Sequence, residues 1–292
     1  MSSTAFIVER YVCPTIGAIL SNLAFAAPIK SLQAAVKAGK LAGLNPTPWA
    51  FMLGNTVGWL AYSFITGDLF VFFANVFGVL ISIYLNIGAM KLQYYEEVRK
   101  ASSSIQLIDN KGREKNTQQD DSEEDGNQAA ADGTQENNTN KRNQDLRSFT
   151  SHEIKVLCIV VIWILILSMT SLTSTSKDRM ENVVGIAVNI NLALFYGAPL
   201  STISTVFRTK TSSSIHFWTM IMNTSNAFFW CVYAFAVVDY YILIPNGIGF
   251  TFGIVQAVLY STFPHDNADI SVDGAQQFLG NGDEREPESQ II

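Results

Sequence analysis

Long uncharged apolar runs alternate with short polar turns along most of the chain. The pattern predicts seven membrane-crossing helices, at about Tyr11–Leu32, Pro48–Thr66, Asp68–Met90, Ile154–Leu172, Asn182–Phe207, Ile215–Val238 and Tyr240–Phe263. Each has roughly the 17–25 residues that a helix needs to cross about 30 Å of hydrocarbon. Tight polar turns at Thr66-Gly67-Asp68 and Val238-Asp239 make the flanking helices antiparallel neighbours. Two runs carry a polar point: Asn75, with Gly78 after it, and Pro245-Asn246-Gly247-Ile248-Gly249. Proline and glycine are tolerated in such a run where other helices cover the freed backbone. Asparagine is costly toward lipid, so both amides are expected to face protein or a water-filled cavity.

The two runs are copies. Asn246 minus Asn75 is 171, and the same shift pairs Pro28 with Pro199, Asn55 with Asn226, Trp59 with Trp230, Tyr62 with Tyr233, Asp68 with Asp239 and Gly78 with Gly249. Generic hydrophobicity does not match prolines, tryptophans and polar residues in this way. The repeat unit is three helices, and the fourth span has no counterpart. An odd span between two three-helix copies makes both copies run the same way across the membrane. The predicted fold is therefore an all-α membrane protein of seven helices, with two parallel three-helix repeats joined by one linker helix.

Composition sharpens the boundaries. The chain is 48% hydrophobic and 15% charged, and most of the charge lies in Tyr94–Lys155 and after Phe263. The expected division is 1–93 for the first repeat, 94–153 for a disordered cytosolic insert and 154–174 for the linker helix, then 182–263 for the second repeat and 264–292 for a disordered cytosolic tail. The insert has too little apolar surface to pack a core. Lys30, Lys37 and Lys40, then Lys91, Arg99 and Lys100, then Arg208 and Lys210 mark alternate loops as cytosolic. Lys177 and Arg179 are the exception. The amino terminus is expected outside and the carboxyl terminus in the cytosol, so the sequon at Asn137 would be silent. No cleavable signal peptide is read from the first run, and the tail ending in Ile291-Ile292 reads as solvated. Cys13, Cys158 and Cys231 lack paired or metal-type spacing and read as small hydrophobes.

Asn55, Trp59 and Tyr62 stand on one helical face, and Asn226, Trp230 and Tyr233 repeat the stripe. Amides both donate to and accept from hydroxyls, and aromatic rings cover apolar C–H surface, so two such stripes suit a neutral polyol. No Asp, Glu, Lys or Arg falls deep within a span, as coupled carriers usually require. The last span has no lysine to hold retinal. His152, His216 and His265 are isolated, and phosphate-loop and nucleophile signatures are absent. The reading is not an enzyme, with no cofactor, no metal and no nucleic acid. Trp49 and Trp218 read as interfacial anchors, and Trp163 as packing or lipid-facing.

Pro245-Asn246-Gly247-Ile248-Gly249, the Asp-containing turn, and Ala198-Pro199-Leu200-Ser201 followed by Arg208-Thr209-Lys210-Thr211 resemble the SWEET sugar transporters. The likeness covers about Gly17–Tyr94 and Gly185–Phe263. Parallel repeats related by an axis along the membrane normal, of which SWEETs are themselves a known example, bind substrate at their interface near the midplane. The resemblance implies uncoupled, bidirectional passage of mono- or disaccharides by alternating access. It implies binding roles for Asn75 and Asn246, a pocket-closing role for Trp230 with Trp59 at the matching position, and hinges at Pro28, Pro48 and Pro199. His216 stands where a fourth hinge proline is usual. Pocket size is read one and two turns before Pro28 and Pro199: Ser21 and Ala24 are small, Leu192 and Phe195 large. Phe195 opposite Trp230 then favours a hexose over sucrose. The plasma membrane is the expected location, with Golgi or vacuolar membrane as alternatives, and a homo-oligomer stays open. Two other readings are kept: an amino-acid or small-solute carrier of the PQ-loop type, disfavoured because neither Pro28 nor Pro199 precedes glutamine, and a seven-span receptor or scaffold, which has no need of parallel repeats.

Overall fold

The structure, a computed structural model, describes residues 3–41, 43–117, 150–173, 176–193 and 197–264. These residues are helical throughout, apart from turns. α1 (Ser3–Ile7) runs through a π-helical turn, Val8–Val12, into α2 (Cys13–Ala26), and α3 (Pro28–Ala38) follows across a break at Ala27. Then come α4 (Thr47–Thr66), α5 (Leu69–Thr117) and the linker helix α6 (Ser151–Thr173). The second repeat holds α7 (Lys177–Ala193), α8 (Gly197–Thr209), α9 (Phe217–Val237) and α10 (Tyr240–Thr262). Among the described residues, five stretches are long and apolar enough to cross a membrane: Ser3–Ala38, Leu69–Ser104, Ser151–Thr173, Phe217–Val237 and Tyr240–Thr262. α4, which carries Asn55 and Thr56 in an otherwise apolar run, and the α7–α8 pair complete the seven passes.

In each repeat the third helix packs against both the first and the second. α5 lies against α2 and α4, and α10 against α9 and the α7–α8 pair. The repeats meet crosswise: α4 packs on α7, and α9 packs on α2. This exchange is the signature of two like units facing each other about a common axis.

The turns that set this geometry are matched. Gly67 ends α4 with a φ of 80°, in the left-handed region open to glycine. Its counterpart Val238 has a φ of 61°, a strained backbone for a β-branched residue. Each is followed by an aspartate that caps the next helix. Asp68 Oδ1 accepts from the N–H groups of Phe70 (2.8 Å) and Val71 (3.1 Å), and Asp239 Oδ1 accepts from Ile242 (3.1 Å).

Several expectations are corrected. The insert was expected to lack structure from residue 94, yet α5 continues to Thr117. Extending an existing helix needs no new nucleus, and Gln, Glu, Lys and Arg propagate one well. Within this continuation Ser102, Ser103 and Ser104 donate to the carbonyls of Val98, Arg99 and Lys100 one turn back. At its other end the insert closes on packed residues, with Thr150 and His152 both 1% exposed. Residues 118–149, with Asn137, and the tail from 265 lie outside the described residues. The span expected over Asn182–Phe207 is described as α7 and α8, with 194–196 outside the described residues. Trp49 is no interfacial anchor. It is buried against Leu32, Leu85 and Leu92, whereas Trp218 is 77% exposed.

The linker helix docks through small residues, as helices in lipid commonly do. Trp163 is 4% exposed and lies over Gly54 and Gly58 of α4. A Cβ on Gly54 would come within 3.0 Å of Trp163 Nε1, and one on Gly58 would run into the indole ring and Val188. At the far end, Asn86 donates to the carbonyls of Trp49 (2.9 Å) and Ser82 (2.7 Å). Its Oδ1 is thereby left to accept from His152 Nε2 at 2.8 Å. Gly58→Val should cost about 1–3 kcal/mol through overpacking and lower the melting temperature of the purified protein in detergent. An unchanged melting temperature would show that the Trp163 contact does not hold the linker helix.

Candidate functional site

Between the repeats lies a cavity of about 460 Å³, lined by α2, α4, α5 and their counterparts in the second repeat. Helix rise sets its levels, at about 1.5 Å per residue. Nearest the aspartate turns are Trp59 and Trp230, 8% and 6% exposed. One turn further in are Asn55 and Asn226, while Asn75 and Asn246 on the third helices, each seven residues beyond its aspartate, stand near the level of the tryptophans. Ser21, Ala24, Leu192 and Pro199 line it from the first helices of the two repeats. Among the described residues, every one that lines the cavity is uncharged. Phe195 falls outside the described residues, so the narrowing assigned to it has no counterpart here.

The amides are half committed. Asn75 Nδ2 donates to the Val71 carbonyl one turn back at 2.9 Å, and Asn246 Nδ2 does the same to Ile242 at 2.8 Å. Among the described residues their Oδ1 atoms make no hydrogen bond. Asn55 Oδ1 is buried with no partner among the described residues. On the other side a chain of bonds crosses between the repeats: Trp230 Nε1 donates to Ser21 Oγ at 3.2 Å, and Ser21 donates to Asn226 Oδ1 at 3.0 Å. Gly17 makes room for the indole, since a Cβ there would lie 2.9 Å from Trp230 Nε1. Unsatisfied acceptors in a low-dielectric cavity are costly unless a ligand or water meets them.

One end of the cavity is locked. Tyr62 of α4 donates to Asp239 Oδ2 across the interface at 2.9 Å, and Tyr233 of α9 donates to Asp68 Oδ2 at 2.6 Å. Each aspartate therefore caps its own helix with one oxygen and holds the opposite repeat with the other. Burial holds the Asp239 carboxyl above the ordinary carboxylate range, against the partial opposition of the bonds from Ile242 and Tyr62. Around this pair Trp59, Tyr62, Val71, Trp230, Tyr233 and Ile242 form one buried cluster. Arg10 reaches over the same end and donates to the Ala236 carbonyl at 2.8 Å. The tyrosines of the two stripes thus carry charge-assisted bonds between the repeats.

The prolines stand at different places in their helices. Pro28 opens α3 after the break at Ala27, Pro48 is in the first turn of α4, and Pro199 is the third residue of α8. Pro245 lies inside α10, and His216 is the extended residue preceding α9. Sequence reasoning missed Asn22 and Asn189, which are helix ties. Asn22 Nδ2 bonds the Ala18 and Phe73 carbonyls, and Asn189 Nδ2 bonds those of Gly185 and Tyr241. It also missed Asn223, Phe252 and Gln256, which line the cavity's far half. A moving comparison between repeats flags the first and last, since Met52 and Leu85 stand at the matching positions.

Comparison with known proteins agrees with this architecture. A family model described as "Sugar efflux transporter for intercellular exchange" matches residues 12–91 and 182–268, more than half of the chain. The bidirectional sugar transporter SWEET17 of Arabidopsis thaliana is 35% identical over 98 residues, 34% of this chain and 40% of that protein. SWEET12 of Oryza sativa subsp. japonica is 24% identical over 265 residues, 90% of this chain and 71% of that protein. The relatives above 30% identity described as bidirectional sugar transporters, SWEET17, SWEET7 and SWEET16 of Arabidopsis thaliana among them, are matched over less than half of their own length. A solved eukaryotic SWEET transporter shares the fold, with a TM-score of 0.62 at 17% identity over 88% of this chain and 97% of that one.

Tyr62→Phe and Tyr233→Phe each remove a hydrogen bond to a carboxylate, worth about 1.5–3 kcal/mol. With Cys13, Cys158 and Cys231 replaced, a cysteine introduced at Ala74, which is 1% exposed beneath the lock, should react with a thiol reagent applied from the tyrosine end about tenfold faster in either variant. Equal rates would mean that packing alone keeps this end shut.

Proposed function

The chain belongs to the family of sugar efflux transporters for intercellular exchange, and from that membership we propose that it carries sugars across a membrane by uncoupled, bidirectional alternating access. One observation carries the reading. Asn75 and Asn246 bring free carbonyl oxygens to one cavity that Trp59 and Trp230 also line, and its described lining residues are uncharged. A sugar ring offers hydroxyls at its edge to those acceptors and C–H faces to the indoles. In this reading Asn55, Asn226 and Ser21 complete the hydroxyl contacts. Asn55 contributes its orphaned oxygen, and the Ser21–Asn226 bond supplies a pair that a hydroxyl can enter.

The alternating step follows from the lock. The conformation is closed at the Tyr62–Asp239 and Tyr233–Asp68 end, and the cavity extends from the tryptophans toward the proline-bearing half. With the amino terminus outside, this conformer faces the cytosol. Opening outward breaks the two tyrosine bonds and closes the far half, with Pro28, Pro48 and Pro199 as the points of bending. Without a charged residue in the cavity no ion need move with the sugar. The amino-acid carrier reading finds no charge there to meet a zwitterion. A receptor or scaffold gives no reason for orphaned amides facing a shared cavity.

In proteoliposomes Asn75→Ala and Asn246→Ala should each lower labelled-glucose flux about tenfold or more, in line with the loss of a ligand hydrogen bond and the stranding of its partner, with membrane abundance unchanged. Normal flux in both would make them helix ties. A carboxyl-terminal tag should be reached by antibody only after the cells are permeabilised, and labelling of intact cells would reverse the orientation.

A further inference from the structure

The shift of 171 that relates the repeats pairs Arg10 with Glu181. Opposite charges therefore stand at one position of the two repeats, each near a tyrosine–aspartate bond. Glu181 lies at the Tyr62–Asp239 bond, with its Oε1 3.4 Å from the Tyr62 hydroxyl. Arg10 reaches the other side. It donates to the carbonyl of Ala236, one turn beyond Tyr233 on α9, at 2.8 Å. Among the described residues that carbonyl has no other hydrogen-bond partner, because the N–H groups of Val238 and Asp239 turn back to Phe235 and Ala234. A guanidinium there caps the negative end of α9. The cap comes from the opposite repeat.

The two helix ends differ in what they need. Gly67 closes α4 in the left-handed region without penalty, whereas Val238 closes α9 there with a β-branched side chain, at a φ of 61°. The strained end is the one that Arg10 holds. The carbonyl matching Ala236 is that of Ile65, and a carboxylate at 181 cannot donate to it. Lys177, one turn before Glu181, instead makes a longer contact of 3.3 Å with the Thr66 carbonyl.

Local structure aims Arg10 at its target. The π-helical turn Val8–Val12 places one extra residue in the helix leading to α2 and shifts the phase of what stands within and before it. Phe6 covers the guanidinium, 5.2 Å from the ring centre. Tyr11 packs edge-on against Phe70 at 6.2 Å, and Phe70 against Tyr233 at 5.8 Å. The amino-terminal segment thus reaches the Tyr233 turn twice, through Phe70 at its ring and through Arg10 at its last carbonyl.

We propose that Arg10 is a latch on the tyrosine end of the cavity: capping α9 from the first repeat, it holds the Tyr233 turn on Asp68, and its release frees that turn when this end opens. This rests on the alternating-access reading. The latch is one-sided, since Glu181 shares the Tyr62 hydroxyl with Asp239 rather than tying α4. Arg10 is a positioning residue and does not line the cavity.

Labelling of single cysteines tests the latch in the full chain, with Cys13, Cys158 and Cys231 replaced and a membrane-impermeant thiol reagent applied to sealed membranes. A cysteine at Ala74, beneath the lock, is labelled from the tyrosine end. A cysteine at Asn223, exposed in the cavity's far half, is labelled from the opposite end. Arg10→Gln should speed the Ala74 reaction about fivefold, the scale of one charge-assisted bond partly open to solvent, and leave the Asn223 reaction no faster. Arg10→Lys keeps a cation at the carbonyl and should stay within about twofold of the parent. Equal Ala74 rates in the parent and Arg10→Gln overturn the latch. So does a rise at both cysteines, which marks a loosened fold, or a lysine variant as fast as the glutamine one. The expected rates in a chain that moves no labelled glucose would support the latch and overturn the sugar reading, so the two fail separately.

Discussion

Two aspartates hold this molecule in its present shape. Asp68 and Asp239 each begin the third helix of a repeat and spend one oxygen on capping it, while the other oxygen accepts from a tyrosine of the opposite repeat. The cap fixes where the helix starts, and the cross-bond fixes how far apart the repeats stand at that end. Because the same residue does both, local helix geometry and the distance between repeats cannot vary independently. The tryptophans one turn below are packed by this constraint, and the cavity begins where it ends. A charge-assisted bond in an apolar surrounding is strong when made, yet two tyrosine hydroxyls are few enough to be exchanged in a conformational change.

The cavity amides illustrate how polar groups are kept in a bilayer without being neutralised by the fold. Asn75 and Asn246 satisfy one N–H on the carbonyl of their own preceding turn, which anchors the side chain and leaves the oxygen directed away. Asn22, Asn189 and Asn86 use two donors on backbone carbonyls of two helices and become ties. The difference between a tie and a candidate ligand group is therefore whether a second backbone carbonyl lies within reach. Nothing about the residue itself decides it.

The linker helix is held differently at its two ends, by an indole over glycines at Gly54 and Gly58 and by the buried His152–Asn86 bond beside Trp49. Both contacts are to the first repeat, and Trp163 also shares a buried cluster with Val184 and Val188 of the second. The long continuation of α5 to Thr117 is tied at its base to the first repeat, where Glu96 accepts from the Leu41 N–H at 2.6 Å.

Much of this was legible in the amino-acid order. Span number, the three-one-three arrangement and the pairing of Asn75 with Asn246 and Trp59 with Trp230 follow from hydropathy and a constant shift, because a bilayer restricts backbone to helices and makes every buried polar residue conspicuous. Seven of the eight expected site residues line one cavity, and Phe195 alone lies outside the described residues. What sequence left open was which polar residues face each other. Tyr62 and Tyr233 read as members of two like stripes, and only the structure puts their hydroxyls on carboxylates of the other repeat; Trp49 read as an anchor, and it lies in a core. The insert read as structureless, but helix already nucleated in the membrane propagates into polar sequence at little cost. The tertiary structure alone decided these points. Hydrogen bonding between repeats depends on distances across an interface, and no periodicity along one chain encodes which side chain stands opposite.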